Sequence, residues 1–449
     1  MKGLILTYIL AALSSVASLR YPAIGVMAYV GLGVLRPRFL FSFAGTITDV
    51  SFYVGVAMLI GWALNGLGTW RMGRAKPLVA VLAIYVVWYL VSSLLALDST
   101  LAFGTFGPFA KLLMPLVVGL TVLNDDKTLR RTLWTIVLAQ AYVGFEMNLS
   151  YLKGFNVAAE GFGGMDNNFF GASLVSTVGP ALALAITSRG WYERAAAYAA
   201  TALILHTTLL TFSRGAMAGM LAVGVVGFVL IPKSPRFLAA TAIIALLAIR
   251  FTGPQLMARY ATAFASEEDL DASAESRVEL WRDCLKVIEQ YPIFGIGPAN
   301  WQAIASDFGW TKGKSAHSVW MESAAEVGLP GTIALFCFFA LPVLWLWPIA
   351  RAKLTDENRY HVAIATGVVL SGVGFIVAGQ FVSAPALEPP YYIAMVGAAL
   401  LKTRQSTVGA PSTASSATAT RRTNPAVSPL APPLPMSTAH RTGPSQKSV

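Results

Sequence analysis

The sequence predicts an all-α polytopic membrane protein, with about twelve transmembrane helices and a large outer loop carrying short amphipathic helices. Three observations lead there. Hydrophobic residues make up 55% of the chain and charged residues only 12%, far from the roughly 25% charged residues of a soluble domain. Apolar segments of about 17 to 20 residues recur between short polar ones, long enough to cross a bilayer at about 1.5 Å per residue. They lack the alternation of a membrane-barrel strand, so in lipid they must be helices that satisfy their own backbone.

Short basic loops set the orientation. Those at 71–76, 127–131, 189–194, 233–236 and 351–353, and the tail, read as cytoplasmic, because Lys and Arg concentrate on that side. Between them fit crossings at 77–96, 105–123, 132–149, 167–188, 195–212 and 214–231. Segment 237–252 leaves the cytoplasm, 332–350 returns, 359–380 goes out and 390–401 comes back. At the start, 47–66 is preceded by 3–35, which reads as one net crossing in two pieces broken near Arg20-Tyr21-Pro22. That places Lys2 inside and Arg36 and Arg38 outside, against the charge rule. The first run also resembles a signal peptide, but the many apolar segments behind it make it a retained anchor. The chain therefore divides into N-terminal transmembrane helices at 1–252, an outer loop at 253–316, C-terminal transmembrane helices at 317–401 and a cytoplasmic tail at 402–449. From Gln405 the tail is rich in Ser, Thr, Ala and Pro and cannot bury a core, so disorder is expected.

The net charge of +11 does not indicate nucleic acid. Six cations (Lys402, Arg404, Arg421, Arg422, Arg441, Lys447) follow Leu401 with no acid among them, and topology accounts for much of the rest. Cys284 in the loop and Cys337 in an apolar run form no disulfide framework.

The chemistry-bearing residues collect at the outer surface. His317 ends the long polar loop and precedes the apolar run 332–349, so an imidazole that exchanges a proton near neutrality stands at a membrane interface. From position alone, a helix-capping or interfacial histidine fits equally well. Lys111 falls about two turns inside the outer end of its helix, where a snorkelling lysine is the structural alternative. Arg214 lies in the tight outer turn Thr211-Phe212-Ser213-Arg214-Gly215 with no acid nearby in sequence. It suits an anionic ligand, or a lipid phosphate or backbone carbonyl. Asp166 or a neighbouring Asn is expected to cap the helix that follows.

Within the loop, Ser276-Arg277-Val278-Glu279 has the form of a capping box. Val278, Trp281, Leu285 and Ile288 recur at helical spacing, as for a helix lying along the membrane surface. Arg277 then stands in a first turn, where a cation is unfavourable beside the helix dipole and an anion would offset it, either Glu279 or a ligand. The Asp-x-Asp of Asp269 and Asp271, a spacing used by some metal-dependent sugar transferases, sits in an acidic run that reads more simply as a solvated loop.

His317-Ser318, nine residues, and Gly328-Leu329-Pro330-Gly331 together resemble the His-[Asn/Ser/Gln]-x9-Gly-x-x-Gly pattern of the O-antigen ligase and polymerase family of bacterial inner-membrane proteins. Ser213-Arg214-Gly215, Arg277-Val278-x-x-Trp281 and the turn Pro292 to Gly297 extend the resemblance in order along the chain. It implies a multi-pass enzyme, metal-independent and without cofactor, whose periplasmic active site moves a glycan from undecaprenyl diphosphate to an acceptor. His317 would be the catalytic base. Arg214 and Arg277, and with weaker support Lys111, would bind the diphosphate. Asp166-Asn167-Asn168 also resembles ligases associated with exosortase systems.

The acceptor separates a ligase from a polymerase. A polymerase must house two lipid diphosphates, whereas this chain has one large outer loop, with Arg259, Arg277, Arg282, Lys286, Lys312 and Lys314 among acids. The shorter outer segment 150–166 has only Lys153. That favours an O-antigen ligase with lipid A-core as acceptor, in contact with membrane lipids and with no nucleic acid. Alternatives are a polymerase, a protein-glycosylating ligase or, more distantly, a flippase of lipid-linked glycan.

Overall fold

The computed structural model describes residues 2–41, 49–230, 272–383 and 386–408, with scattered positions between 233 and 250. The regular secondary structure of the described residues is helical apart from one isolated bridge, Phe162 to Met165. The helices are α1 Lys2–Arg20, α2 Pro22–Leu35, α3 Pro37–Leu40, α4 Val50–Leu64, α5 Lys76–Leu94, α6 Ser99–Gly104, α7 Phe106–Val122 and α8 Asp126–Leu152. There follow α9 Asn167–Thr187, α10 Trp191–Leu210, α11 Arg214–Leu230, α12 Ala272–Gln290, α13 Asn300–Ile304, α14 Val319–Ala350, α15 Arg359–Ala378 and α16 Glu388–Val408. Among the described residues six helices are long and apolar enough to cross a membrane, and three shorter apolar ones accompany them.

The centre of the bundle is the pair α9 and α15. Small residues let their backbones approach: a side chain at Gly374 would meet Val175 at 2.8 Å, and one at Gly367 would meet Pro180 at 3.1 Å. Such close contact is what drives helix association in lipid, where burial alone gains nothing. At one end of the bundle the basic loops gather. Arg130 pairs with Glu193 at 2.8 Å, Arg189 with Asp356 at 2.9 Å, and Arg359 with Asp356 at 3.0 Å. His361 meets Asp126 there at 2.8 Å. These loops are the ones read from the sequence as lying on one side.

Four expectations change. Residues 3–35 are not one broken crossing. Pro22 opens a second helix after the non-helical Tyr21, and α2 folds back along α1, so that Ser18 lies against Gly25 at the bend and Gly3 against Phe41 at the far end. Lys2 therefore shares an end with Arg36 instead of lying opposite it. The capping box does not form, because α12 begins at Ala272, in a run of strong helix formers, which puts Ser276 inside the helix and Arg277 beyond its first turn. The apolar face of α12 is also rotated. Leu280, Cys284, Val287 and Ile288 are buried against Ala324 and Ala325, while Val278 and Leu285 are 45% and 48% exposed. Finally, α16 runs on past Leu401 to Val408. The acidic run with Asp269 and Asp271, Arg259, most of 237–252 and the chain from 409 onward lie outside the described residues.

The feature that shapes the site end is a break in α14 at Gly328 (φ 71°, ψ 174°). Pro330 has no N–H to return to Glu326, so the carbonyls before the break need other donors. They find them in the turn after α12: Ile296 N–H donates to Ala325 O at 2.9 Å, and Gly297 N–H to Glu326 O at 2.8 Å. Ser92 Oγ–H adds a bond to Glu326 O at 2.9 Å, and Trp88 Nε1–H donates to Val327 O at 3.0 Å. In return Leu329 N–H donates to Pro292 O at 2.9 Å. Gly295 and Gly328 both have positive φ and lie backbone to backbone with the opposite strand of this junction, where any side chain would collide. Replacing Gly328 by alanine should lower the melting temperature of the detergent-solubilised protein. Gly224→Ala, with nothing within 4 Å, should leave it unchanged or slightly higher, and scanning calorimetry of the two variants checks the contrast.

Candidate functional site

His317 is held in a left-handed backbone conformation (φ 52°) immediately before Ser318, the N-cap of α14. For a non-glycine residue that conformation costs on the order of 1 kcal/mol and persists only where its surroundings enforce it. The surroundings here are specific. Ala316 is gripped at both backbone groups: its N–H donates to Glu322 Oε2 at 2.8 Å, and its C=O accepts from Trp281 Nε1–H at 3.0 Å. Ser318 Oγ accepts the Met321 N–H at 3.2 Å. Glu322 is itself buried, and it also accepts hydrogen bonds from the Ser383 hydroxyl and the Gln302 side chain. One turn further, buried Glu326 accepts the Trp301 N–H at 3.3 Å.

The imidazole is half-buried, and its pKa lies below the ordinary histidine value. Burial is the largest cause, the cations Arg277 and Lys314 add to it, and Asp166 opposes it. At neutral pH the ring is therefore held neutral, the form that accepts a proton.

Arg277 brings the second cation. Burial and the neighbouring Arg214 hold its pKa below the usual arginine range, with Asp166 opposing; it remains a cation at any physiological pH. The two guanidinium groups repel, so the pair favours an anion between them. Arg214 is placed by the turn before α11, in which Phe212 has φ 52°. Ser213 Oγ accepts the Ala216 N–H at 3.2 Å and donates to Asn168 Oδ1 at 2.8 Å. Asn167 Nδ2 donates to Thr211 O at 3.0 Å. Asp166 caps α9, accepting the Phe169 N–H at 2.8 Å, as the sequence suggested. The run Asp166-Asn167-Asn168 thus bolts the start of α9 to the turn carrying Arg214, and its carboxylate acts on both Arg277 and His317.

The structure brings Arg214, Arg277 and His317 together. Lys111 stands apart: its side chain is exposed on α7, its backbone carbonyl accepts the Tyr29 hydroxyl at 3.2 Å, and it is not among the charges acting on His317 or Arg277. Sequence reasoning passed over Glu322 and Ser383, and counted Lys314 only among the cations of the outer loop. The available signal was two carboxylates, Glu322 and Glu326, one turn apart at the start of an apolar helix, where acids are expensive unless they have donors.

Residues 199–336, which contain Arg214, Arg277 and His317, match the family model described as O-antigen ligase. Residues 1–179 match a family of unknown function. No curated protein matches the chain.

The electrostatics carry a testable sign. Because Arg277 disfavours the imidazolium, Arg277→Gln should raise the midpoint at which His317 loses its reactivity toward diethyl pyrocarbonate, which attacks only the neutral ring. Peptide-resolved modification rates against pH would show the wild-type midpoint below the ordinary value of about 6.5 and the variant's closer to it.

Proposed function

We propose, from the match of residues 199–336 to the O-antigen ligase family model, that this membrane protein is an inverting, metal-independent glycosyltransferase of glycan assembly. It transfers O-antigen from undecaprenyl diphosphate to lipid A-core. The observation that carries the reading is the convergence of two arginines and a neutral histidine at the end of the bundle opposite the basic loops. With the basic loops in the cytoplasm, the site faces the periplasm from the inner membrane.

In this reading Arg214 and Arg277 grip the diphosphate bidentately, a role that a divalent ion fills elsewhere. Lys111, which stands apart from this cluster, is left out of that grip. His317 accepts the proton of the acceptor hydroxyl as its oxygen attacks the anomeric carbon. The bond from that carbon to the diphosphate oxygen breaks, and undecaprenyl diphosphate departs with the electron pair. The diphosphate is already a good leaving group and needs no general acid; the arginines stabilise the charge it gains. Attack opposite the leaving group inverts the anomeric centre. The αL seat and half-buried setting of His317 support pre-orientation at a partly dry interface.

His317→Ala should insert and fold yet lose transfer by about 10² to 10⁴ in rate, the usual worth of a general base. Arg214→Lys and Arg277→Lys should both be poorly active, since a point charge cannot reproduce the guanidinium fork. Wild-type activity should survive EDTA; abolition by EDTA with rescue by Mg²⁺ or Mn²⁺ would count against the arginine grip. Covalent product formed by detergent-solubilised protein separates a transferase from a flippase, which has no two sides to work across. Deletion of the gene should leave lipid A-core bare while undecaprenyl-linked polymer accumulates; single repeats still attached to core would indicate a polymerase instead.

A further inference from the structure

Glu322 is the buried acid nearest the candidate base in sequence, and it holds the N–H of Ala316, the residue before that base. Three donors converge on its carboxylate: Ala316 N–H at 2.8 Å, the Ser383 hydroxyl and the Gln302 side chain. A carboxylate has the acceptor lone pairs to take all three of these bonds. The donors come from three parts of the chain: the loop before α14, α13, and the segment after α15. The last of these is informative. Phe381 packs on Gly215, one residue from Arg214, at 2.5 Å from where a side chain there would begin. Trp320, next to the His317 seat, donates Nε1–H to Ile376 O at 3.0 Å and lies against Gly379. Residues 376–383 therefore touch both the helix that carries Arg214 and the helix that follows His317.

We propose that Glu322 is a positioning residue for His317. Through Ser383 it locks the 376–383 segment so that the imidazole and Arg214 stay in register. It touches neither donor nor acceptor. Its carboxylate holds Ala316 N–H, and Trp281 holds the carbonyl of the same residue, so the peptide leading into His317 cannot rotate and the strained φ is maintained. Without the carboxylate, Ala316 N–H becomes a buried donor with no acceptor, and the left-handed seat relaxes toward ordinary backbone.

This inference rests on the reading of His317 as the base, and its test is chosen so that the two can fail separately. Glu322→Ala, Glu322→Gln and Ser383→Ala would be made in the full-length protein in detergent or nanodiscs. Each is assayed for transfer from an undecaprenyl diphosphate-linked glycan, and for diethyl pyrocarbonate modification of the His317 peptide. Displacing a catalytic group by about 1 Å can cost about 10²-fold in rate, so Glu322→Ala should lower kcat by roughly 10- to 100-fold while the donor KM stays put. It should also alter the His317 modification rate severalfold. Glu322→Gln keeps one acceptor for Ala316 N–H and should fall between the wild type and alanine. Ser383→Ala keeps the carboxylate and covers the case in which the alanine variant does not fold; it should show the same split at smaller size. An unchanged His317 modification rate in Glu322→Gln and Ser383→Ala overturns the proposal, as does a rise in donor KM at constant kcat, which would make Glu322 a substrate contact. If the wild type shows no transfer while Glu322→Gln still shifts His317 reactivity, the positioning stands and the catalytic reading falls.

Discussion

The break in α14 at Gly328 is the constraint on which the site end depends. An apolar helix entering lipid has no water to satisfy a carbonyl that loses its partner, so any break must be matched by donors from elsewhere in the protein. The turn at 291–298 supplies them from Ile296 and Gly297, with Trp88 and Ser92 from α5. That exchange ties α12, α5 and α14 into one junction. Leu97 N–H, donating to Ile296 O at 2.9 Å, and the paired bonds of Asn300 with Asp98, at 2.7 and 3.1 Å, extend it to the start of α6. Because α12 carries Arg277 and the start of α14 carries His317, the junction is also what sets the distance between a cation and a titratable ring.

A second balance is electrostatic. Two arginines, a lysine and one carboxylate share a half-buried space. The cations depress the basicity of the imidazole, so an anion arriving between the arginines would do more than bind: by offsetting their charge it would make His317 a stronger base as the complex forms. Asp166 sets the resting level of this field, since it opposes the shift at both groups. Its capping of α9 and its electrostatic effect come from one carboxylate in one geometry.

What was legible in the sequence, and what was not, divides along physical lines. Arg214 and His317 stood out because each lies where a charge or proton-exchanging group is costly, beside an apolar run, and Arg277 stood out as a first-turn cation, a place that the earlier start of α12 does not give it. Asp166 could be found because an N-cap is a local device, decided within three residues. The hairpin of α1 and α2 could not, since hydropathy reports that a segment is long enough to cross but not which way it runs after a proline. The capping box at Ser276 failed because Ala272 to Glu275 already favour helix, and a local motif does not override a start one turn earlier. The apolar face of α12 was misplaced for a tertiary reason: Ala324 and Ala325 present a small-residue surface that accepts Leu280 and Cys284 closely, which periodicity in α12 alone cannot reveal. Glu322 escaped notice for the same reason, as its donors lie 6, 20 and 61 residues away.

The left-handed backbone of His317 has a bearing on how this chain can change over time. On folding grounds alone the position favours glycine or asparagine, which adopt φ near 52° with little or no strain. Every such replacement would relax the loop end and leave the clamp on Ala316 intact. A chain with no use for the imidazole would therefore gain stability from glycine or asparagine at this site, so the histidine seat carries a local cost in stability that a purely structural loop end would not.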